Sequence, residues 1–438
     1  MKILSIIIAI MLQTLASMAQ IDLHSHAVTE GYLKFVKDNG AEMAEGFPIP
    51  HWDEAAHIDF MDRAGIATSV LTMPAPQPYF GDKKAAAKVC RKFNEECNAL
   101  KTKYPGRFMF CAALPLPDVR AALEEARYAL ETLNADGVKL ATNSYGQYLG
   151  DHDLDTLMAY LNSRNAVIII HPHKPSAVNE QLISDVPLAS YEYLAETTRA
   201  VLNMLAHNVL VRYQNLKIVV PHCGSLLPNA LPRFSSLLPV MIMQGIMKDI
   251  NVKANLSRLY YDLAGAPTDD VIQSLLTITT PDHLLYGTDY PYVNDKVLIN
   301  GKQSLAQRLA KFGILAEDVF TNNAKRLFGT EVDKRIFGEK IVRLAEIEVY
   351  PEMLDDYLKF AGEVGKTSVE TEPGVLKLLS MQSKADPCKI TILEVYADDT
   401  AYQSHIKTPH FKKYKEGTAK MVKSLKLIDV APIYGLEH

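Results

Sequence analysis

The feature that most constrains the fold is a repeated alternation between short apolar runs and longer amphipathic segments. After an opening run at 21–26, the candidate strands are 69–73, 108–114, 137–142, 167–171, 217–222, 259–263 and 284–289. The candidate helices between them are 53–64, 83–104, 118–133, 154–164, 194–213 and 269–277. Continuous apolar strands separated by helices are typical of a parallel sheet that is buried on both faces.

Eight such strands predict an α/β fold, a (β/α)8 barrel of the TIM type, over residues 20–330. The alternative is an open, doubly wound sheet, which usually carries a glycine-rich nucleotide-binding turn after a strand. Because no such turn follows any candidate strand, the sequence favours the barrel.

The sequence pattern changes after Phe328 and Gly329. A charged stretch at 331–340 predicts a linker. Beyond it we predict a strand, a helix, two strands, a helical region and a last strand, at 342–349, 352–364, 375–381, 390–396, 402–425 and 427–432. This order is typical of a small ferredoxin-like α+β domain, which we place at 341–438.

The first nineteen residues have the composition of a secretory signal peptide. Lys2 precedes an apolar run at 3–15, and small residues follow up to Ala19. This pattern predicts export to the periplasm or out of the cell; the alternative is a buried first element of the barrel. The whole chain is 48% hydrophobic with a net charge of -5. We therefore expect no nucleic-acid partner, and no membrane association once the signal peptide is removed.

Two histidines close the opening strand, in the sequence His24-Ser25-His26. Side chains two positions apart on a strand point to the same face, so both imidazoles can bind one metal ion. A His-x-His sequence has little weight by itself, because the same pair occurs by chance in loops and on solvated strands.

Three further candidate strands end in residues of the same kind, namely His171, His222 and Asp289. In a TIM barrel the carboxyl ends of the strands meet at one rim, where catalytic groups lie. There we expect a metal site made by His24, His26, His171 and Asp289, with His222 as a general acid or base. Each residue also has a structural alternative, a core histidine or a turn cap. Their joint occurrence at strand ends favours the metal site.

The segments around these residues resemble the amidohydrolase superfamily. They are His24-Ser25-His26, 167–172, 220–224 and 287–291. The resemblance spans about 21–329 and is strongest to the decarboxylase branch, which includes the aminocarboxymuconate-semialdehyde, γ-resorcylate and 6-methylsalicylate decarboxylases. It implies one Zn2+ (Mn2+ in some members) held by the four predicted ligands, and loss of CO2 from a small carboxylic acid. His222 is then the catalytic acid or base, and both it and Asp289 remain candidates for the proton donor.

Three positions qualify this resemblance. His57 stands where the aminocarboxymuconate enzyme has a substrate-binding arginine, and His173 stands where it has a tryptophan. We expect both histidines to bind a substrate closer to the salicylate type. Lys139 stands where binuclear hydrolases of the superfamily carry a carboxylated lysine. It is a candidate substrate contact, or a lysine snorkelling at the barrel mouth. Carboxylation of Lys139 would bring a second metal and favour hydrolysis.

The C-terminal part resembles the antibiotic-biosynthesis-monooxygenase domain over about 340–435. The resemblance lies in Glu372-Pro373-Gly374-Val375, Glu394-Val395-Tyr396 and 405–411. Such domains pair their sheets into dimers, and some oxidise phenols or quinols without a cofactor. It implies a homodimer or larger assembly, with His405 and His410 facing a small cleft. We predict no cofactor for this domain, and either dimerisation or phenol oxidation as its role.

Together these observations predict an exported two-domain enzyme whose barrel is a metal-dependent carboxy-lyase. Its expected substrate is a hydroxylated aromatic or related carboxylic acid. One alternative is a hydrolase of a lactone, amide or similar bond, which uses the metal to activate water. Another is a binding or assembly protein whose barrel has lost its activity, against which the intact ligand set argues.

Overall fold

A computed structural model describes residues 20–43, 45–176, 186–329, 341–372, 374–397 and 399–430. The predicted signal peptide at 1–19 and the predicted linker at 331–340 lie outside the described residues. The chain divides into two compact units, Met1–Gly329 and Thr330–His438.

The described residues of the first unit form ten strands. They are β1 Gln20–His26, β2 Ile66–Thr72, β3 Phe108–Ala113, β4 Gly137–Ala141, β5 Asn143–Ser144, β6 Gln147–Tyr148, β7 Val167–His171, β8 Lys217–Val220, β9 Tyr260–Asp262 and β10 Leu284–Leu285. Eight of them form one sheet in the order β1-β2-β3-β4-β7-β8-β9-β10, and all neighbouring pairs in it are parallel. The remaining two, β5 and β6, form a short hairpin.

Backbone hydrogen bonds close this sheet into a barrel. The amide of Leu23 donates to the carbonyl of Tyr286, and the amide of His26 donates to the carbonyl of Tyr290. Both bonds join β1 to the segment that follows β10. This closure confirms the predicted (β/α)8 architecture.

Helices surround the barrel strands. Their bounds are Glu30–Asp38, Glu54–Ala64, Lys83–Lys103, Val119–Glu131, Asp155–Ser163, Glu192–Ala206, Val209–Arg212, Leu227–Met243, Val252–Leu256, Asp269–Leu275, Asp295–Lys311 and Asn323–Phe328. Many begin at a side chain that accepts a hydrogen bond from a free backbone amide of the first turn, as Asp53 does from Ala56 and Asp118 does from Ala121. These caps fix where each crossover helix begins.

The strands are buried on both faces, as their continuous apolar sequences predict. In the β4–β7 pair, Val138 is aligned with Ile168 and Leu140 with Ile170, and all four side chains are at most 1% exposed. Burying side chains of this size contributes about 1.5–3 kcal/mol each to stability. This packed interior holds the strand ends, and therefore the rim, in fixed positions.

One long exposed helix does not follow the simple barrel pattern. The segment His222–Met243 is long and apolar enough to cross a membrane by length and composition, and little of it is buried. However, it lies in the crossover between β8 and β9, which are adjacent strands of the barrel. Its position therefore marks it as a peripheral crossover helix of the barrel.

Two predicted helices are interrupted in the structure. The segment 194–213 is broken at Asn208, which has a left-handed φ of 53° between two helices. The segment 402–425 ends earlier than predicted, because Thr408 caps a new helix beginning at Pro409 and a strand already begins at Val422. In both cases a local turn overrides a continuous helical pattern.

The second unit is a four-stranded antiparallel sheet with helices on one face. Its strands are β11 Ile341–Val349, β12 Val375–Gln382, β13 Lys389–Tyr396 and β14 Val422–Asp429, in the order β12-β13-β11-β14. Its helices are Leu354–Thr371, Asp399–His405 and Pro409–Thr418. The order of strands and helices confirms the predicted ferredoxin-like α+β fold.

Candidate active site

The two histidines of the opening strand lie side by side at the barrel rim. His24 and His26 are both 1% exposed, and their ring centroids are 5.1 Å apart. His171, at the end of β7, brings its ring centroid to within 4.8 Å of that of His26. The three rings therefore face one point from two strands that are distant in the sequence.

Asp289 completes this group from the segment after β10. Its Oδ1 lies 3.1 Å from His26 Nε2 and 3.5 Å from His24 Nε2. One ligand atom from each of His24, His26, His171 and Asp289 can be chosen so that all four lie within 4.8 Å of one another. The structure thus brings together the four residues that the sequence predicts as metal ligands.

Each histidine of this group is held through its Nδ1 atom. His24 Nδ1 lies 2.9 Å from Asp262 Oδ2, and His26 Nδ1 lies 2.8 Å from the Thr72 hydroxyl. His171 Nδ1 lies 2.9 Å from the carbonyl oxygen of Pro172. Partners of this kind fix the ring orientation and leave the Nε2 lone pair free for a metal.

The donor set fits a divalent metal ion. His24 Nε2 is buried at the centre of the group and has no hydrogen-bond partner within the described part of the chain. Three imidazoles and one carboxylate suit Zn2+ or a similar first-row ion, with a position left for substrate.

The protonation states of most of these groups also suit a cation. Burial lowers the pKa of His26 to about 4 and lowers that of His171 well below its usual value, so both rings are neutral. Burial raises the pKa of Asp289, but the neighbouring His222, His26 and His24 rings outweigh it, hold the pKa well below its usual range and keep the carboxylate ionised. Neutral imidazoles and an ionised carboxylate are the forms that bind a metal.

His24 is the exception. Burial lowers its pKa, but the carboxylates of Asp262, Asp289 and Asp22 together outweigh burial and raise the pKa to about 9. A metal ion must therefore displace a proton from this ring.

His222 lies beside the predicted ligands without joining them. Its Nε2 is 3.9 Å from Asp289 Oδ2, and its backbone amide donates to Asp262 Oδ1 at 3.1 Å. Both His222 and Cys223 have left-handed φ angles, 55° and 56°. Non-glycine residues in this region indicate local strain that the surrounding structure holds in place. This conformation directs the His222 ring toward the cavity described next.

A cavity of about 530 Å3 opens above the four predicted ligands. His26, His171, His222 and Asp289 form its polar end. Its other walls are largely apolar or aromatic, and include Ala75, Pro76, Tyr193, Leu194, Leu226, Tyr292 and Val293. Among the described residues that line it there is no lysine or arginine, whereas Glu42 and Glu45 are present.

The other predicted substrate contacts lie outside the residues that line this cavity. His57 is fully buried, and its Nδ1 accepts a hydrogen bond from the indole of Trp52. His173 Nδ1 lies 2.9 Å from Glu45 Oε1. Lys139 is 3% exposed, and its Nζ has no hydrogen-bond partner in the described ranges. Their substrate-binding roles stay predictions.

Sequence reasoning missed two residues that organise the site. Asp262 contacts both His24 and His222 and, like Asp289, lies near the end of a candidate strand. Glu45 accepts hydrogen bonds from the backbone amide of Lys174 and the hydroxyl of Tyr193, which joins a long loop to the rim. The position of Asp262 near a strand end is the sequence signal that could have identified it. Glu45 lies in a loop, and no sequence signal marks it.

The second unit has a cavity of its own, of about 490 Å3, between its sheet and helices. Its lining includes Tyr396, Tyr402, His405 and Phe411. His410 is not among the lining residues, but its Nε2 lies 2.5 Å from the same Glu372 oxygen that His405 Nδ1 contacts at 2.9 Å. The structure thus brings the two predicted cleft histidines together on one carboxylate.

Family comparisons cover both units. Residues 21–330 match the amidohydrolase family, and residues 340–417 match the antibiotic biosynthesis monooxygenase family. The chain is 29% identical over 322 residues to a 6-methylsalicylic acid decarboxylase of Aspergillus aculeatus, covering 70% of this chain and 96% of that protein. It is 33% identical over 281 residues to the corresponding enzyme of Penicillium expansum, covering 63% and 85%.

Solved structures show the same barrel. An amidohydrolase II protein is 28% identical with a TM-score of 0.67, covering 71% of this chain and 99% of that one. A dihydroxybenzoic acid decarboxylase from Polaromonas, solved with manganese and 2-nitroresorcinol, is 20% identical with a TM-score of 0.59, covering 71% and 96%. These matches confirm the predicted resemblance. The chain belongs to the amidohydrolase family, and a domain of the antibiotic biosynthesis monooxygenase family follows its barrel.

Proposed function

We propose that the barrel is a metal-dependent, nonoxidative decarboxylase of a hydroxylated aromatic carboxylic acid. The observation that carries this proposal is the group of three Nδ1-anchored histidines and Asp289 at the polar end of a largely apolar cavity. The similarity to 6-methylsalicylic acid decarboxylases supports the same chemistry.

The cavity walls suit an aromatic monocarboxylate. An aromatic ring with a small apolar substituent packs against aliphatic and aromatic side chains such as Leu226, Val293 and Tyr193. A second carboxylate would lie near Glu42 or Glu45 without a compensating lysine or arginine among the described lining residues. Because an unpaired charge is costly to bury, we expect dicarboxylates to bind poorly.

The residues of the site have different roles in the proposed decarboxylation. His24, His26, His171 and Asp289 would hold the ion, which when bound neutralises the carboxylate and adjacent hydroxyl group of the substrate. His222, with Asp289 beside it, delivers a proton to the ring carbon that bears the carboxylate. The bond from that carbon to the carboxylate then breaks, its electrons restore the aromatic ring, and CO2 leaves. The apolar walls keep bulk water from the protonated ring carbon.

Manganese and zinc are the ions that we propose for this site. Solved structures of a dihydroxybenzoic acid decarboxylase and a 5-carboxyvanillate decarboxylase contain manganese. Three imidazoles and a carboxylate also suit zinc. Activity after reconstitution with Mn2+ or with Zn2+ shows which of the two ions supports the reaction.

A hydrolase is the second candidate function. The observation in its favour is Lys139, a buried amine without a hydrogen-bond partner among the described residues, on a strand that ends at the rim. Carboxylation of this amine would supply a ligand for a second metal, and two ions commonly activate a water molecule.

One experiment tests both candidates. The purified protein is freed of metal with a chelator, reconstituted with Mn2+ or Zn2+, and assayed for CO2 release from 6-methylsalicylate and 2,6-dihydroxybenzoate, with 5-carboxyvanillate as the dicarboxylate that we expect to bind poorly. We expect CO2 from at least one substrate, dependent on the ion, with one ion per barrel. Cleavage of lactones or amides with two ions per barrel, and no CO2, would instead establish the hydrolase.

For the second unit we propose a role in homodimer formation. The sheet face opposite the helices carries a cross-strand apolar row formed by Leu379, Leu393, Leu344 and Ile428. Leu379 and the nearby Met381 are 46% and 43% exposed. The same face of a second copy would cover this row. Oxidation of a phenol or quinol in the cavity beside Tyr396 and His405 is the alternative role.

A further inference from the structure

Three chain segments of the second unit meet at one carboxylate. Glu372 follows the helix Leu354–Thr371, His405 is the last residue of the helix Asp399–His405, and His410 lies in the first turn of the helix Pro409–Thr418. One ligand atom from each of these three residues can be chosen so that all lie within 4.8 Å of one another. Different parts of the chain therefore place two imidazoles and one carboxylate together.

The contacts within this group are close. Glu372 Oε1 lies 2.9 Å from His405 Nδ1 and 2.5 Å from His410 Nε2, so a single oxygen faces both rings. In the barrel, Asp289 Oδ1 has a similar relation to His26 and His24, at 3.1 and 3.5 Å. The second group thus repeats, with two histidines, the arrangement of the predicted metal site.

Burial in this group is uneven. The His405 side chain is 2% exposed, whereas Glu372 and His410 are 13% and 21% exposed. His405 is therefore held firmly, while an ion can enter from the side of His410. His405 also lines the cavity of about 490 Å3, so an open coordination position would be accessible from that cavity.

We propose that Glu372, His405 and His410 form a second metal site, specific for a divalent first-row transition ion. Two imidazoles and one carboxylate, with the remaining positions open, form a donor set used by such ions in proteins. The site is independent of the function proposed for the barrel. A network of hydrogen bonds that only ties the three segments together is the alternative, and it requires no ion.

Zinc stoichiometry in the full-length protein tests this proposal. Metal-free wild type is equilibrated with Zn2+ and dialysed, and zinc per chain is measured by emission spectroscopy. We expect two equivalents in wild type, one in His26→Ala, which lacks a barrel ligand, and one in His410→Ala. The double variant should retain none. One equivalent in wild type, absent from His26→Ala and unchanged in His410→Ala, would overturn the proposal.

A milder substitution distinguishes loss of the ion from loss of the fold. Glu372→Gln keeps the volume of the side chain and an oxygen that accepts a hydrogen bond, but removes the charge that binds an ion. In the His26→Ala background we expect it to weaken zinc binding by more than about tenfold, while the circular dichroism spectrum is unchanged. If Glu372→Gln lowers the melting temperature and leaves zinc affinity unaltered, the three residues only join their chain segments by hydrogen bonds and do not bind an ion.

Discussion

Asp262 acts on two functional histidines at once. One of its oxygens contacts His24 Nδ1, and the other accepts the backbone amide of His222. A carboxylate behind a metal-binding imidazole fixes the tautomer and makes the ring a stronger donor. The predicted metal ligand and the predicted acid or base thus share one positioning residue.

This contact predicts that metal binding depends on pH. Burial lowers the pKa of His24, but Asp262, together with Asp289 and Asp22, raises it to about 9, so the ring of the metal-free protein is protonated at neutral pH. An ion must displace that proton, and affinity should therefore rise with pH up to about 9. Calorimetry in buffers of different ionisation enthalpy should show release of about one proton per ion at pH 7.5. An affinity that is constant between pH 6 and 9 would contradict this.

Substitution of His222 separates catalysis from metal binding. Because His222 faces the cavity beside Asp289 but is not one of the four predicted ligands, His222→Gln should retain the ion. We expect its kcat for decarboxylation to fall by about 10²–10⁴-fold, as is usual when a general acid is lost. Activity and metal content are measured on the same sample.

His173→Gln is the matched control for this variant. His173 contacts Glu45 and lies outside the residues that line the cavity. We expect a much smaller loss of kcat than in His222→Gln. If His222→Gln loses its metal together with its activity, His222 is itself a ligand and the assigned roles are wrong.

The geometry of the site depends on the hydrogen bonds between β1 and the segment after β10, a contact that we call the seam. The amide of Asp289 donates to the carbonyl of His24 at 2.7 Å, and the hydroxyl of Thr288 donates to the buried carboxylate of Asp22 at 2.6 Å. The bonds that close the barrel therefore also set the distance between Asp289 and the two histidines of β1.

Gly287 brings the segment after β10 close to His24 of β1. A Cβ atom at Gly287 would lie 2.7 Å from the Cβ of His24, which is closer than real side chains approach. Gly287→Ala should therefore push the two strands apart, cost about 1–3 kcal/mol of stability and weaken metal binding. Chemical denaturation and zinc titration measure the two effects.

Gly301→Ala provides the control. Gly301 lies in the helix Asp295–Lys311, and a Cβ there would meet no atom within 4 Å. Replacing a helical glycine by alanine should stabilise the protein by up to about 1 kcal/mol and leave metal binding unchanged. Equal behaviour of the two variants would show that the seam does not control the site.

The sequence predicted the barrel strands better than the helices around them. Strands such as β7 are continuous apolar runs. Such runs can be recognised in the sequence without knowledge of tertiary contacts. The helix Leu227–Met243 escaped prediction because it contains Pro232 and Pro239 and few buried residues. The four predicted metal ligands could be identified because they lie at the ends of candidate strands. Asp262 also lies near a strand end, but its contacts with His24 and His222 are visible only in the folded chain. Glu45 lies in a loop, and its partners are distant in the sequence.

The whole chain combines two folds, and each fold has its own cavity and its own cluster of histidines. The barrel carries the proposed decarboxylation. The second unit presents the apolar sheet face that we propose as the contact between two copies. Assembly and catalysis should therefore respond to different substitutions.

Charged residues on the sheet face should separate the copies. Leu379→Lys combined with Met381→Lys places two charges on the exposed apolar face of β12. We expect sedimentation velocity to show a dimer for the wild type and a monomer for this double variant, with decarboxylation retained. Leu358→Lys is the control, because this exposed leucine lies on the helix Leu354–Thr371. A dimer that survives the double substitution would place the interface elsewhere.

Anomalous diffraction from crystals of the full-length protein grown with Mn2+ tests the central assignment most directly. We predict a peak in the barrel within bonding distance of His24 Nε2, His26 Nε2, His171 Nε2 and an oxygen of Asp289, with His222 outside the coordination sphere. A barrel without such a peak, or an ion bound away from these four side chains, would contradict the account.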